Sequence, residues 1–381
     1  MTGGDETAMN FQHKPLNQFM KNLLLINHGA RLLAVAVLAL AAGCATAPKP
    51  TKTVYYYFPA PPDEPHFQYL TSFSSEKDLS GDQSQSFMNY LTGAQTLRRE
   101  LAKPYGLAAH GHKLYICDTD LGEVVVVDLP TKRMRVLAAQ GEGALKMPLN
   151  LTVDADGTTY VADSMRDQVV IFDRSENFVA SLGKVDEMKP RDVAVGTNRI
   201  YVADLKGHCV RVFDKATRAP LFNIPRGDDA KQHDRQLFTP TNLGVDAKGR
   251  LYVSDTGAFH VQVYDADGKY LRTVGEFGDG LSQFARLKGI ALDRENRLYA
   301  VDAMSQVIQV FDEQSRLLTW FADPTAGKAT QNLPAKVMVD YDDVSYFQQY
   351  AAPGFKIEYL VIVGNQLGPN KVGVYGYGSK K

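Results

Sequence analysis

PLNLTVDADGTTYVADSMRDQVVIFD, residues 148–173, decides the fold of this chain. Leu149-Asn150-Leu151-Thr152-Val153-Asp154 alternates apolar and polar side chains, as a half-buried strand does. Asp156-Gly157 supplies a tight turn, because glycine tolerates positive φ. Thr158 to Ala162 reads as a second strand and Asp163 opens a loop. Val169-Val170-Ile171-Phe172 is a wholly apolar third strand, Asp173 to Asn177 turns again, and Phe178 to Leu182 makes a fourth. Four short antiparallel strands joined by tight turns form one propeller blade. The same text recurs as PYGLAAHGHKLYICDTDLGEVVVVD (104–128), PRDVAVGTNRIYVADLKGHCVRVFD (190–214), PTNLGVDAKGRLYVSDTGAFHVQVYD (240–265) and LKGIALDRENRLYAVDAMSQVIQVFD (287–312). Successive copies start 42 to 50 residues apart, a blade-length period.

In every copy one Asp (Asp118, Asp163, Asp204, Asp255, Asp302) stands ten residues before another (Asp128, Asp173, Asp214, Asp265, Asp312). A catalytic site needs one or two such carboxylates. One per blade points to a turn device, in which the carboxylate accepts backbone N–H groups.

A sixth copy lies at the C-terminus. Leu333 to Asp340 matches the inner strand, Tyr359 to Val363 the second with Asn365 in place of the Asp, and Val372 to Tyr375 the third. Residues 341–356 interrupt the first two, and no fourth strand follows. His66 to Phe73, ahead of the first blade, resembles the outer strands at 177–182 and 269–274. It is expected to complete the last blade and close the ring, removing an exposed seam. The expected fold class is therefore all-β, a six-bladed β-propeller over residues 66–381.

Forty-two basic against forty-three acidic side chains leave a formal net charge of −1, which disfavours a nucleic-acid partner. The lone Trp320 counts against tryptophan-stamped propeller families. The first 65 residues differ in kind. Lys21 and Arg31 precede the apolar run Leu32 to Ala42, then Gly43-Cys44, the layout of an export signal. A start at Met20 would give an ordinary signal and leave residues 1–19 outside it. Residues 44–65 are Pro-rich and read as an extended tether. Cys117 and Cys209 occupy non-equivalent places in blades one and three, so no disulfide is expected. Cys117 reads as a small buried hydrophobe and Cys209 as the more exposed.

The stretch ending at Cys44 resembles a bacterial lipoprotein signal, departing from it in having Ala41 where Leu is usual. The resemblance implies residues 1–43 as a signal peptide, lipid on the Cys44 thiol, and, because Ala45 follows, an outer-membrane lipoprotein of the cell envelope. The blade openings (Pro-x-Gly/Asp/Asn), the Tyr-Val-x-Asp motif and the Val-x-Val-Phe/Tyr-Asp closings resemble NHL repeats over most of 104–312 and more weakly over 333–375. Similar domains include protein-binding modules, extracellular sensors and a few lyases. The resemblance therefore specifies fold rather than function.

In a four-stranded blade, the entry to the inner strand and the loop between second and third strands share one face. Here that face carries the long connections 76–103, 139–147, 225–239 and 275–286. Its centre is expected to be ringed by the third residues of the openings: Gly106, Asn150, Asp192, Asn242, Gly289 and Lys336. Arg166, Lys206, His208, Phe259, His260 and Met304 stand just outside. Together these are the candidate ligand-binding residues. Asn150, Asp192 and Asn242 offer oxygens that suit calcium, which lactonase-like propellers hold centrally; hydrogen bonding to channel water and backbone is the plainer reading. His208, His233 and His260 could suit zinc, against solvated loop imidazoles. No catalytic residue, metal or other cofactor is expected. Nucleophile elbows, P-loops and dinucleotide fingerprints do not occur, and the glycine-rich 275–280 opens no helix. The expected function is a lipid-anchored envelope binding or scaffold module for a protein or small ligand. The alternative is a metal-dependent propeller enzyme, a lactonase-like hydrolase or a lyase.

Overall fold

The computed structural model describes residues 54–80, 99–184, 186–322, 324–325 and 327–380. Cys44 and the segment read as an export signal lie outside the described residues. Six sheets radiate from an axis. Blade 1 is Pro104–His110, Lys113–Asp118, Glu123–Asp128 and Arg133–Val136, and blade 2 is Pro148–Val153, Thr159–Asp163, Gln168–Phe172 and Phe178–Leu182. Blades 3, 4 and 5 repeat the order from Pro190–Val195, Pro240–Val245 and Leu287–Leu292. Blade 6 is Pro334–Asp340, Phe355–Asn365, Val372–Lys380 and, as expected, Phe67–Phe73, paired antiparallel from Phe67↔Tyr377 to Phe73↔Val372.

The strand period of two explains how the blades stick together. In blade 2, Tyr160, Ala162, Val169 and Ile171 pack against blade 3, whereas Val161, Val170 and Phe172 pack against blade 1. Each junction between neighbouring blades holds its own apolar cluster, the last formed by blades 6 and 1. Every apolar strand is thus buried on both faces.

Two boundaries differ from the sequence expectation. The tether read over 44–65 ends earlier, because Tyr56–Phe58 pairs with Phe67–Phe73 as a fifth strand and Phe58 is buried. The aromatic side chains of that stretch find partners that only the folded ring supplies: Phe58 lies 6.1 Å from Tyr375 and 6.3 Å from Phe321. Residues 341–356 form a short helix, Val344–Phe347, and a turn, then run into a second strand that begins at Phe355 rather than Tyr359. This insertion is fastened to the closing strand, since Gln68 Oε1 accepts from Ala352 N at 3.0 Å. Cys209 is buried rather than exposed, and like Cys117 it is a free thiol with its ionisation pushed upward by burial.

The recurrent Asp is a structural device that does more than cap a turn. Asp163 accepts from Lys146 N (2.6 Å) and Met147 N (3.0 Å) ahead of the inner strand, and from Met165 N and Arg166 N (both 3.1 Å) in the following loop. Asp118, Asp204, Asp255 and Asp302 repeat the pattern. In blade 6, Asn365 accepts from Asn332 N and donates to Asn370 O. The side chain therefore pins the two connections of one face to each other, and its buried charge is satisfied by N–H groups.

Candidate functional site

Each inner strand starts with its first residue opposite the device residue (Pro148↔Asp163, Pro190↔Asp204, Pro334↔Asn365), and the register then slips before regular pairing resumes. Such a bulge breaks the two-residue alternation, so second and third residues of an opening can both reach the axis.

The third residues form a closed polar layer. Asp192 of blade 3 meets Lys336 of blade 6 across the ring, Oδ2 to Nζ at 2.9 Å. The carboxylate also accepts from Val193 N (2.8 Å) and Leu243 N (2.9 Å). Asn150 Nδ2 donates to Asn242 Oδ1 at 3.0 Å, again between non-adjacent blades. All four side chains are buried; for Asp192 and Lys336 the exposure is 1% and 8%. Gly106 and Gly289 complete the layer because nothing larger fits. A Cβ on Gly106 would stand 2.6 Å from Asn150 Cα, and one on Gly289 2.6 Å from both Ala335 O and Lys336 Cα. Asn150, Asp192, Asn242 and Lys336 thus plug the axis instead of lining an open mouth. Nor does the oxygen set fit calcium, since an ammonium already holds the one carboxylate and Asn242 Oδ1 is taken.

The outer candidates divide. Arg166 is a brace for the 139–147 connection, donating to Glu142 O (2.8 Å) and Ala144 O (2.6 Å). Lys206 donates to Asp186 O, and His208 Nδ1 lies 2.5 Å from Phe238 O. His260 sits beside Gln262, and burial holds its imidazole below the usual range. His233 packs its ring on Phe238. The three histidines therefore have separate partners, and no metal-ligand group of three forms among the described residues. Met304 is exposed, whereas Phe259 is half-buried. Phe259 adopts φ +59°, the place Gly122 fills in blade 1, and meets Phe277 edge-on at 4.7 Å.

Several residues of this face escaped the sequence reading. Phe277 is 68% exposed, Leu281 60% and Met165 58%, with Phe238 also open. They sit in loops or, for Phe277, in a two-residue strand, where no periodicity marks a side chain as inward or outward. On the axis, Lys288 Nζ of blade 5 lies 5.4 Å from the Tyr105 ring of blade 1. Arg191 and Arg286 lie close enough to act electrostatically on both. Arg191 and Lys288 are the second residues of their openings. Attending to the third position alone passes over them.

The opposite face carries a cavity of about 370 Å³, walled by the later residues of the inner strands, with Lys336 at its inner end and Arg294, Tyr341 and Asp342 at its mouth. Asp340 lines it with its carboxyl pushed up to about 6, first by burial and then by Asp343. Asp343 itself pairs with His112 at 2.7 Å. The open end of the channel therefore lies away from the long loops.

A family profile described as a six-bladed β-propeller matches residues 233–349, and one described as the NHL repeat matches residues 188–213. The chain is similar to the protein brain tumor of Drosophila melanogaster, 30% identical over 136 residues, which is 35% of this chain but only 12% of that protein. Among solved structures it is similar to a gluconolactonase from Xanthomonas campestris (14% identity, TM-score 0.54, covering 86% of this chain and 99% of that one). It is also similar to a structural-genomics protein of unknown function from Bacteroides thetaiotaomicron (17% identity, TM-score 0.53, 72% and 70% covered). At these identities the structural likeness speaks for fold alone. Blade text, closed ring and profile matches agree that the chain folds as a six-bladed β-propeller, with an NHL repeat matched at residues 188–213.

Proposed function

We propose that the propeller is a lipid-anchored protein-binding module of the cell envelope whose working surface is the loop-rich face of blades 4 and 5. The observation that carries this reading is the set of exposed apolar side chains there, Phe238, Phe277, Leu281 and Met304, with Phe259 half-buried against Phe277. Soluble surfaces seldom spend several large apolar groups on one face unless they are covered in use. Large aromatic side chains are the composition expected of a binding centre. A left-handed Phe259 is also a costly conformation for an aromatic residue, retained where glycine would be at ease. The anchor rests on the resemblance around Cys44. Of the axial oxygens, the Asp192 carboxylate is held by Lys336 and Asn242 Oδ1 by Asn150, while Asn150 Oδ1 has no protein partner.

The test is co-purification from detergent-solubilised envelope. A Phe259→Ala, Phe277→Ala, Met304→Ala variant is expected to keep the wild-type melting profile and lose the partners retained by wild type. Arg294→Ala, on the opposite face, should keep them. A folded triple variant that holds every partner would remove this face from consideration.

A further inference from the structure

We infer that the axis of the loop-rich face is a binding site for a small oxyanion, with phosphoryl or carboxylate oxygens received by Arg191, Arg286 and Lys288 above Tyr105. These groups come from blades 1, 3 and 5, alternate members of the ring, and meet only because the bulges turn their openings inward. Arg191 and Lys288 are half-buried. None of the three cationic side chains has an ion-pair or hydrogen-bond partner among the described residues.

The nearby acids are already committed. Asp192 is held by Lys336 and two backbone N–H groups. Asp302 accepts from the N–H groups of Ala285, Arg286 and Met304. Three like charges thus gather within one another's field without a counter-charge, on a chain whose formal net charge is −1. Burial, with Arg286 and Arg191 beside it, lowers the Lys288 ammonium to about 8, the mark of a group that a bound anion would stabilise. Two guanidinium forks match the planar oxygens of phosphate or carboxylate, and the ammonium adds a point charge. The Tyr105 hydroxyl, whose ionisation burial raises, hydrogen-bonds to Asn242 of the plug, and Lys288 Nζ lies 5.4 Å from its ring. A single axial cluster differs from the extended basic stripe that tracks a nucleic-acid backbone. This site does not depend on the aromatic patch or on the lipid anchor.

Calorimetric titration of the full chain with inorganic phosphate, and separately with citrate, at ionic strength fixed by chloride, tests it. One saturable site is expected for at least one of the two. Lys288→Gln and Arg191→Gln should each weaken it about tenfold or more, while Lys206→Gln, a cation on the same face, should not. Should Lys288→Gln fail to fold, Arg286→Gln, at an exposed position, replaces it, read by loss of the anion-induced rise in melting temperature. Absence of saturation with both anions overturns the inference. So does equal weakening by Lys206→Gln, and so does binding confined to a capped triglutamate peptide, which would assign the cations to an acidic segment of a protein partner.

Discussion

Replacing Lys336 by Met probes the axial layer most directly. The substitution keeps the stem and its packing but removes the ammonium 2.9 Å from Asp192. The carboxylate then remains buried with only the Val193 and Leu243 N–H groups. Removing one partner of a buried ion pair costs about 3–5 kcal/mol. With an unfolding entropy of about 2.1 cal/mol/K per residue, a propeller of this length shifts by roughly 1.5 °C per kcal/mol, so the midpoint should fall by about 5–8 °C. Adding Asp192→Asn, which retains an acceptor for both N–H groups, should recover about half of the deficit or more, because no unpaired charge is left. The deficit should also depend on pH. Burial already holds the Asp192 carboxyl above its ordinary value, with Lys336 as the main opposing influence. Without Lys336 the rise is larger. A folded-state value raised above the unfolded one contributes stability at low pH that is lost as pH rises through it, so the deficit of Lys336→Met should shrink from about pH 7 towards about pH 4. Differential scanning calorimetry of the four chains across this range reads all three quantities. A single variant within about 1 kcal/mol of wild type, or a double variant no better than the sum of its parts, would refute a charge-paired plug.

Other outcomes follow from the same geometry. A chain starting after residue 80 loses the closing strand with buried Phe58, Phe67, Leu70 and Phe73; at about 2 kcal/mol for each large side chain it should lose roughly 6–10 kcal/mol, and an unchanged urea midpoint would count against closure by the N-terminus. Gly289→Ala forces a methyl against backbone atoms 2.6 Å away that cannot rotate aside, so a loss of about 2–3 kcal/mol is expected in chemical denaturation. Cys44→Ala should move the protein from the membrane to the soluble fraction; a variant fractionating like wild type would dispose of the lipid anchor.

The blades were legible because their information is local and repeated. Alternation, turn residues and the device Asp recur at every copy, and even the degenerate sixth copy keeps Asn365 where hydrogen bonding demands it. Ring closure was legible because a propeller missing one outer strand leaves a seam, and His66–Phe73 was the segment available. The axis was harder. Choosing the third residue of each opening located Asp192, Lys336, Asn150 and Asn242 in one layer, but one-residue spacing says nothing about which blades face each other across the ring. The pairings Asp192–Lys336 and Asn150–Asn242 join residues 144 and 92 positions apart, and they turn expected binding groups into structural ones. Tyr56–Phe58 was missed for a related reason. Three residues are too few for a period, and their burial depends on aromatic partners from the far end of the chain.

The closed layer has a consequence for how the two faces relate. Above it lie the cations of Arg191, Arg286 and Lys288 around Tyr105; below it lies the cavity that ends at Lys336 and opens beside Asp340 and Arg294. Gly106 and Gly289 are pressed against neighbouring backbone, so the side chains of Asp192, Lys336, Asn150 and Asn242 are what separates the two faces. The Asp192–Lys336 pair touches both sides of the layer: Lys336 lines the cavity and Asp192 acts electrostatically on Tyr105. Binding on the loop-rich face and the chemistry of the Asp340 cavity are accordingly separable by substitution. A variant at the plug is the one place where both should respond together.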